Sequence, residues 1–133
     1  AHLLQAIYEG VVFSHMTHLN RLRERFTDVH TLRVTGGPAH SDVWMQMLAD
    51  VSGLRIELPQ VEETGCFGAA LAARVATGVY RDFSEAQRDL QHPVRTLLPD
   101  MTVHQLYQQK YQRYQHLIAA LQGFHARIKE HIL

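Results

Sequence analysis

Apolar positions over the first 26 residues recur at helical spacing. Leu4, Ile7, Val11, His18, Leu22 and Phe26 stand three, four or seven apart, and Val12 and Leu19 widen the stripe. That period predicts an amphipathic helix over about 2–26. "TLRVT", 31–35, then alternates and is β-branched, the pattern of a strand. Gly36-Gly37-Pro38 ends it. Ser41 or Asp42 can cap a following helix over 42–52, whose apolar face is Val43, Met47, Leu48 and Val51, and Gly53 sits where a helix C-cap favours glycine. "LRIELP" alternates again, with Leu54, Ile56 and Leu58 on one side and Arg55 and Glu57 on the other, and Pro59 closes it.

"QVEETG" reads as a loop and "CFGAALAARVATG", 66–78, as a helix rich in small residues, closed by Gly78. Asp82 with Glu85 three residues on has the form of a capping box for a short helix reaching Leu90. His92-Pro93 breaks the chain and "VRTLLPD" is extended. Tyr107, Tyr111, Tyr114, Ile118, Leu121, Ile128 and Ile132 mark a long helix over about 102–131. Strands that alternate with helices pair in parallel through right-handed crossovers. The expected fold is therefore α/β: two parallel strands, 31–35 and 54–58, flanked by helices 2–26, 42–52 and 66–78, with a long C-terminal helix. Two strands alone seldom make a stable sheet, and the chain opens Ala1-His2-Leu3-Leu4 already in helical register, without Met. Both features lead us to expect further chain upstream.

Composition narrows the function classes. The 133 residues are 46% hydrophobic and 20% charged, and 13 Lys plus Arg balance 13 Asp plus Glu. A net charge of zero provides no whole-chain field to hold nucleic acid or an anionic membrane. No apolar run approaches the ~20 residues that span a bilayer. Cys66 is the one cysteine, so no internal disulfide can form, which suits the cytoplasm.

The Gly36-Gly37 turn lies between a strand and a helix, where backbone N–H groups favour anions and glycine lets a ligand approach closely. On spacing alone a plain strand-to-helix turn explains it better, since neither the lysine of a phosphate loop nor the full dinucleotide fingerprint is present. His15 and His18 have a metal-compatible spacing but no evident third ligand. Cys66, at a helix start without a base partner, reads as a small buried residue. The small residues Gly65, Gly68, Ala69, Ala72 and Ala73 suit close helix packing. Glu62 and Glu63 can stabilise the helix that follows them, and a carboxylate pair there lacks a fixed cleft. The Tyr-rich helix reads as a packing helix rather than a coiled-coil strand, because Gly123 interrupts it.

Taken together, "TGGPAHSDVWMQMLADVSGLRIELPQVEETGCFGAALAARVATGVY" resembles the C-terminal lobe of the FGGY carbohydrate kinases. The landmarks are Gly36, Gly37, Ser41, Trp44, Gln46, Ala49, Asp50, Gly53, Glu62, Glu63, Gly65, Gly68, Ala69 and Ala70, and "YEGVVF", 8–13, resembles the helix just upstream. Their order over about 80 residues is more specific than any one motif, and "GGPAHSDVW" is most similar to the xylulose-kinase-like branch. The resemblance implies an actin-like, ribonuclease-H-like fold in two domains, with ATP held mostly by the C-terminal one and the sugar and catalytic base by an N-terminal domain absent from this chain. It implies that residues 1–133 are the C-terminal portion of the ATP-binding domain. Gly36, Gly37, Pro38, His40 and Ser41 would line the adenosine site. Pro38 departs from the commoner Ala or Gly and stiffens the loop. No catalytic residue and no metal ligand is expected in the chain itself; ATP and Mg2+ belong to the whole enzyme, which would phosphorylate a ketopentose-type sugar. Separately, the unpaired edge of strand 31–35 invites association and leads us to expect a homo-oligomer. Two other readings stand beside this one: a free-standing helical self-association module, and a small nucleotide-binding regulator without catalysis.

Overall fold

A computed structural model describes residues 2–61, 63–89 and 94–132, with the side chains of Asp89 and of residues 125–132 outside the description. The sequence readings at Glu62, Leu90 and His92-Pro93, and those on the side chains of Ile128 and Ile132, fall outside the described residues. In chain order the elements are α1 (His2–Arg25), β1 (Thr31–Arg33), a 3-10 turn (Gly37–His40), α2 (Asp42–Ser52), β2 (Arg55–Pro59), α3 (Thr64–Ala76), α4 (Phe83–Asp89), β3 (Val94–Leu97) and α5 (Met101–Ile132).

The expected parallel pair is present. Thr31, Leu32 and Arg33 register with Arg55, Ile56 and Glu57, and the Val34 N–H extends the ladder to the Glu57 carbonyl at 2.9 Å. The expectation of two strands is corrected: the sheet has three, in the order β1-β2-β3, and β3 runs antiparallel to β2 with Leu97 opposite Ile56 and Arg95 opposite Leu58. "VRTL" carries Leu97 and Arg95 on the Ile56 and Leu58 side and Thr96 beside Glu57, so each face of the strand mixes apolar and polar side chains. Four residues are too few for that pattern to stand out in sequence.

Ile56 and Leu58 project from β2 into a core shared by α1, α2 and α5; Ile56, Val12 and Val51 are its most deeply buried large side chains. On α1 the predicted stripe is corrected. Val12, Phe13, Met16 and Leu19 are buried, whereas Leu4, Ile7, Leu22 and Phe26 are more than half exposed. This helix carries apolar residues on two flanks, and the partner decides which is buried. Phe13 meets the rings of Tyr107, Tyr111 and Tyr114 at centroid separations of 6.3, 5.7 and 5.4 Å, contacts that add about 0.5–1.5 kcal/mol each beyond the area buried. The Tyr111 hydroxyl reaches the Thr17 hydroxyl at 3.2 Å and accepts from the Asn20 amide at 3.4 Å, and Lys110 pairs with Glu9 at 2.7 Å.

α2 also turns slightly from its predicted face: Met45, Leu48, Ala49 and Val51 are buried, and Val43 is exposed. Gly53 closes the helix at φ 67°, and a Cβ there would stand 2.8 Å from the His104 ring. Between β2 and β3, α3 buries Leu71 but leaves Cys66 exposed, contrary to the expectation of a buried thiol. The reason is that the small-residue flank of α3 meets nothing: a Cβ built at Gly65 or Gly68 has no neighbour within 4 Å among the described residues. The capping box of α4 forms, with the Glu85 N–H donating to Asp82 Oδ1 at 2.8 Å and the Glu85 carboxylate accepting from the Arg81 N–H at 2.7 Å. The bond from the Glu85 N–H is the main reason the Asp82 carboxyl lies below its ordinary pKa. α5 runs unbroken through Gly123; a helical glycine costs about 1 kcal/mol, which a helix packed along its tyrosine face tolerates.

Candidate nucleotide-binding groove

The chain leaves β1 through Thr35 and Gly36. Gly36 has φ 90°, a conformation that side-chain-bearing residues rarely adopt. Pro38 sits in the first turn of the 3-10 segment, and two tight bonds, Ala39 N–H to Gly36 O at 2.9 Å and Ser41 N–H to Pro38 O at 3.1 Å, fold the loop onto itself. Ser41 rather than Asp42 is the cap of α2: its Oγ accepts from the Trp44 N–H at 3.4 Å. Asp42 instead accepts from Arg95 Nη2 at 2.6 Å. This bond is the principal cause of the lowered Asp42 pKa and the raised Arg95 pKa.

A groove of about 420 Å³ opens beside this loop, at the C-terminal ends of β1 and β2. In open α/β sheets that is the end where ligands bind. Gly36 and His40 line it, together with Asp42, Arg95, Pro59 and Val61. Gly37, Pro38 and Ser41 belong to the same loop but do not line the groove itself. Cβ atoms built at Gly36 and Gly37 would meet no atom within 4 Å. The need for glycine at 36 is thus conformational. At 37 nothing in the chain's own packing requires it. A second cavity of about 580 Å³ adjoins the groove through Thr35, Pro59 and Val61 and extends under α3 and α4 to Phe67 and Leu71.

Other candidates are not assembled. His15 and His18 are exposed on α1, and no group of three or more His, Cys, Asp or Glu among the described residues could hold a metal ion. No helix among them is long and apolar enough to cross a membrane. Arg95 was not singled out in the sequence; the signal available was the alternation of "VRTL", which puts Arg95 on the same side of the sheet as Leu97 and hence toward α2.

The chain is 94% identical over all 133 residues to the L-xylulose/3-keto-L-gulonate kinase of Escherichia coli, strain K12, covering 27% of that protein. It is 54% identical over 122 residues to a probable L-xylulose kinase of Haemophilus influenzae, covering 92% of this chain and 24% of that one. The chain therefore spans about a quarter of the length of the curated relatives it matches. Among solved structures, a xyloylose kinase from Brucella ovis superimposes with a TM-score of 0.78 at 31% identity, over 92% of this chain and 25% of that one. A ligand-bound xylulose kinase from Lactobacillus acidophilus gives a TM-score of 0.79 at 24% identity, over 90% and 24%. Mostly helical α/β packing around a small mixed sheet, with a long C-terminal helix, is the fold shared with these actin-like kinases. Residues 1–77 match the C-terminal domain of the FGGY family of carbohydrate kinases, and the chain belongs to that family.

Proposed function

We propose that residues 1–133 are the C-terminal portion of the ATP-binding domain of a sugar kinase, and that they supply one wall of its adenosine site. The whole enzyme transfers the γ-phosphoryl group of ATP, with Mg2+, to a hydroxyl of a ketopentose-type sugar in the cytoplasm. The sugar pocket and the catalytic base belong to an N-terminal domain outside this chain. The observation that carries this reading is the groove beside the Gly36-Gly37 loop, lined by Gly36 and His40 at the C-terminal ends of β1 and β2. Similarity to L-xylulose kinases supports the proposed substrate class. Ser41 keeps its hydroxyl proton while capping α2, so it can still donate to a ribose or base acceptor.

Gly37→Val in the full-length enzyme tests the loop. A branched side chain there would stand on the loop next to the groove, in space the chain's own packing leaves open, so a nucleotide lying against the loop would meet it: the Kd for ATP should rise about tenfold while that for the sugar stays within about twofold, since a clash of this size typically costs about 1–3 kcal/mol. Isothermal titration of each substrate reads both constants. Equal effects on the two, or none, would return the loop to a plain connector.

The sheet also predicts behaviour of the chain on its own. Among the described residues β1 is an edge strand, and α1 turns Leu4, Ile7, Leu22 and Phe26 outward. Unpaired edges promote association, and exposed large apolar side chains add to it. At tens of micromolar the isolated chain should therefore elute in size exclusion well above its 15.2 kDa. A monomer that persists at such concentrations would count against an uncovered edge.

A further inference from the structure

Arg95 stands on a strand beyond the reach of the family match, which ends at residue 77. Because β3 runs antiparallel to β2, its first residues arrive at the C-terminal ends of β1 and β2, where the groove opens. Arg95 registers with Leu58, and directly opposed residues share a sheet face. Its guanidinium therefore emerges on the α2 side, where Nη2 donates to Asp42 Oδ1 at 2.6 Å. That bond uses one of five N–H donors and fixes the tilt of a planar group.

The charge of the groove indicates what part of a nucleotide fits here. Asp42 and Arg95 are its two fully charged lining residues, and they neutralise one another; the remaining wall includes Ala39, Leu58, Pro59 and Val61. The lining leaves no excess side-chain positive charge to add to the backbone N–H groups that could hold a phosphate. A flat, uncharged heterocycle needs an apolar edge and a plane to stack on, and a guanidinium held by a carboxylate is such a plane. We propose that the Arg95–Asp42 pair is the stacking wall for the purine ring of ATP, with the carboxylate fixing the guanidinium plane and Gly36 lining the same groove. This rests on the reading of the groove as the adenosine site and adds a base-selecting residue to it.

In the full-length kinase, Arg95→Ala should raise the KM for ATP about fivefold, the upper end of what exposed cation–π contacts contribute, while kcat and the KM for the sugar stay within about twofold. The preference for ATP over CTP should narrow by a similar factor, because a pyrimidine offers less ring to stack. Arg95→Lys keeps the charge but not the plane and should recover only a minor part of the loss. Asp42→Asn, which loosens the guanidinium, should raise the KM for ATP about threefold. Full rescue by lysine, an unchanged ATP-to-CTP ratio, or a loss shared equally by kcat and both KM values would overturn the proposal. If Arg95→Ala does not fold, the lysine and Asp42→Asn variants decide by the same ratio. Where Gly37→Val weakens ATP binding and the Arg95 variants do not, the stacking wall falls and the adenosine groove stands; where none of them weakens it, both fall.

Discussion

Given ATP, Mg2+ and either L-xylulose or D-xylulose, the 133-residue chain alone should release no ADP above background, while the full-length kinase turns over. Phosphoryl transfer depends on positioning and on electrostatic stabilisation of the transferring group. The described residues contain no group of His, Cys, Asp or Glu able to hold a metal ion. The groove at Gly36 carries one neutralised ion pair rather than a cluster of cations. Loss of a general base alone commonly costs about 10²–10⁴ in rate, and loss of fixed geometry between the reactants can cost about 7–11 kcal/mol more. ATP affinity of the isolated chain should fall to the millimolar range or weaker, because one wall provides only part of the contacts. Coupled-enzyme detection of ADP, run on both proteins side by side, reads the difference. Sugar-dependent turnover by the chain alone would place the catalytic groups inside it and would refute the division of labour proposed here. A full-length enzyme silent across a panel of sugars and polyols would remove the kinase reading itself.

The positions of most elements were legible because their signals are local. The glycines at 36 and 53 mark backbone that takes positive φ, and Ser41 sits where a helix cap must. What the sequence could not give is which side of a helix finds a partner. α1 offers two apolar flanks, and the buried one is chosen by Phe13 meeting three tyrosines about 94 to 101 positions away in sequence, a contact that no window of the chain contains. Cys66 and the small residues of α3 fail for the same reason in reverse, since the composition of a close-packed helix is present while its partner is not among the described residues. The site divides similarly. The loop was visible as a glycine pair, but Arg95 enters only through the antiparallel return of β3, and the Asp42 that it binds could be read from sequence only as a cap.

Asp50 is a landmark of the family pattern with no role evident from sequence, and the structure gives it one. It is 8% exposed. Its Oδ1 accepts from the Gln46 amide at 2.8 Å and from the backbone N–H of Asp100 at 2.9 Å. Asp100 in turn caps α5, accepting from the N–H groups of Thr102 and Val103 at 2.8 and 3.2 Å, and Gln46 also donates to the Leu98 carbonyl at 2.9 Å. One carboxylate thereby ties α2 to the turn between β3 and α5, holding in place both the helix that follows the glycine loop and the strand that carries Arg95. Asp50→Ala removes the acceptor and strands a partly buried N–H. Hydrogen bonds to a charged group contribute about 1.5–3 kcal/mol, and an unsatisfied buried donor costs about 1–3 kcal/mol, so a local loss of about 2–4 kcal/mol is expected. Hydrogen exchange in the full-length kinase should report it as roughly 10²-fold faster exchange of the amides at the start of α5. Asp50→Asn, which retains one oxygen, should lose distinctly less, and the exposed Asp28→Ala should change neither. Were Asp50→Ala to abolish kcat while α5 kept its protection, the carboxylate would be acting on the reaction rather than on the fold, and its assignment as a structural tie would be wrong.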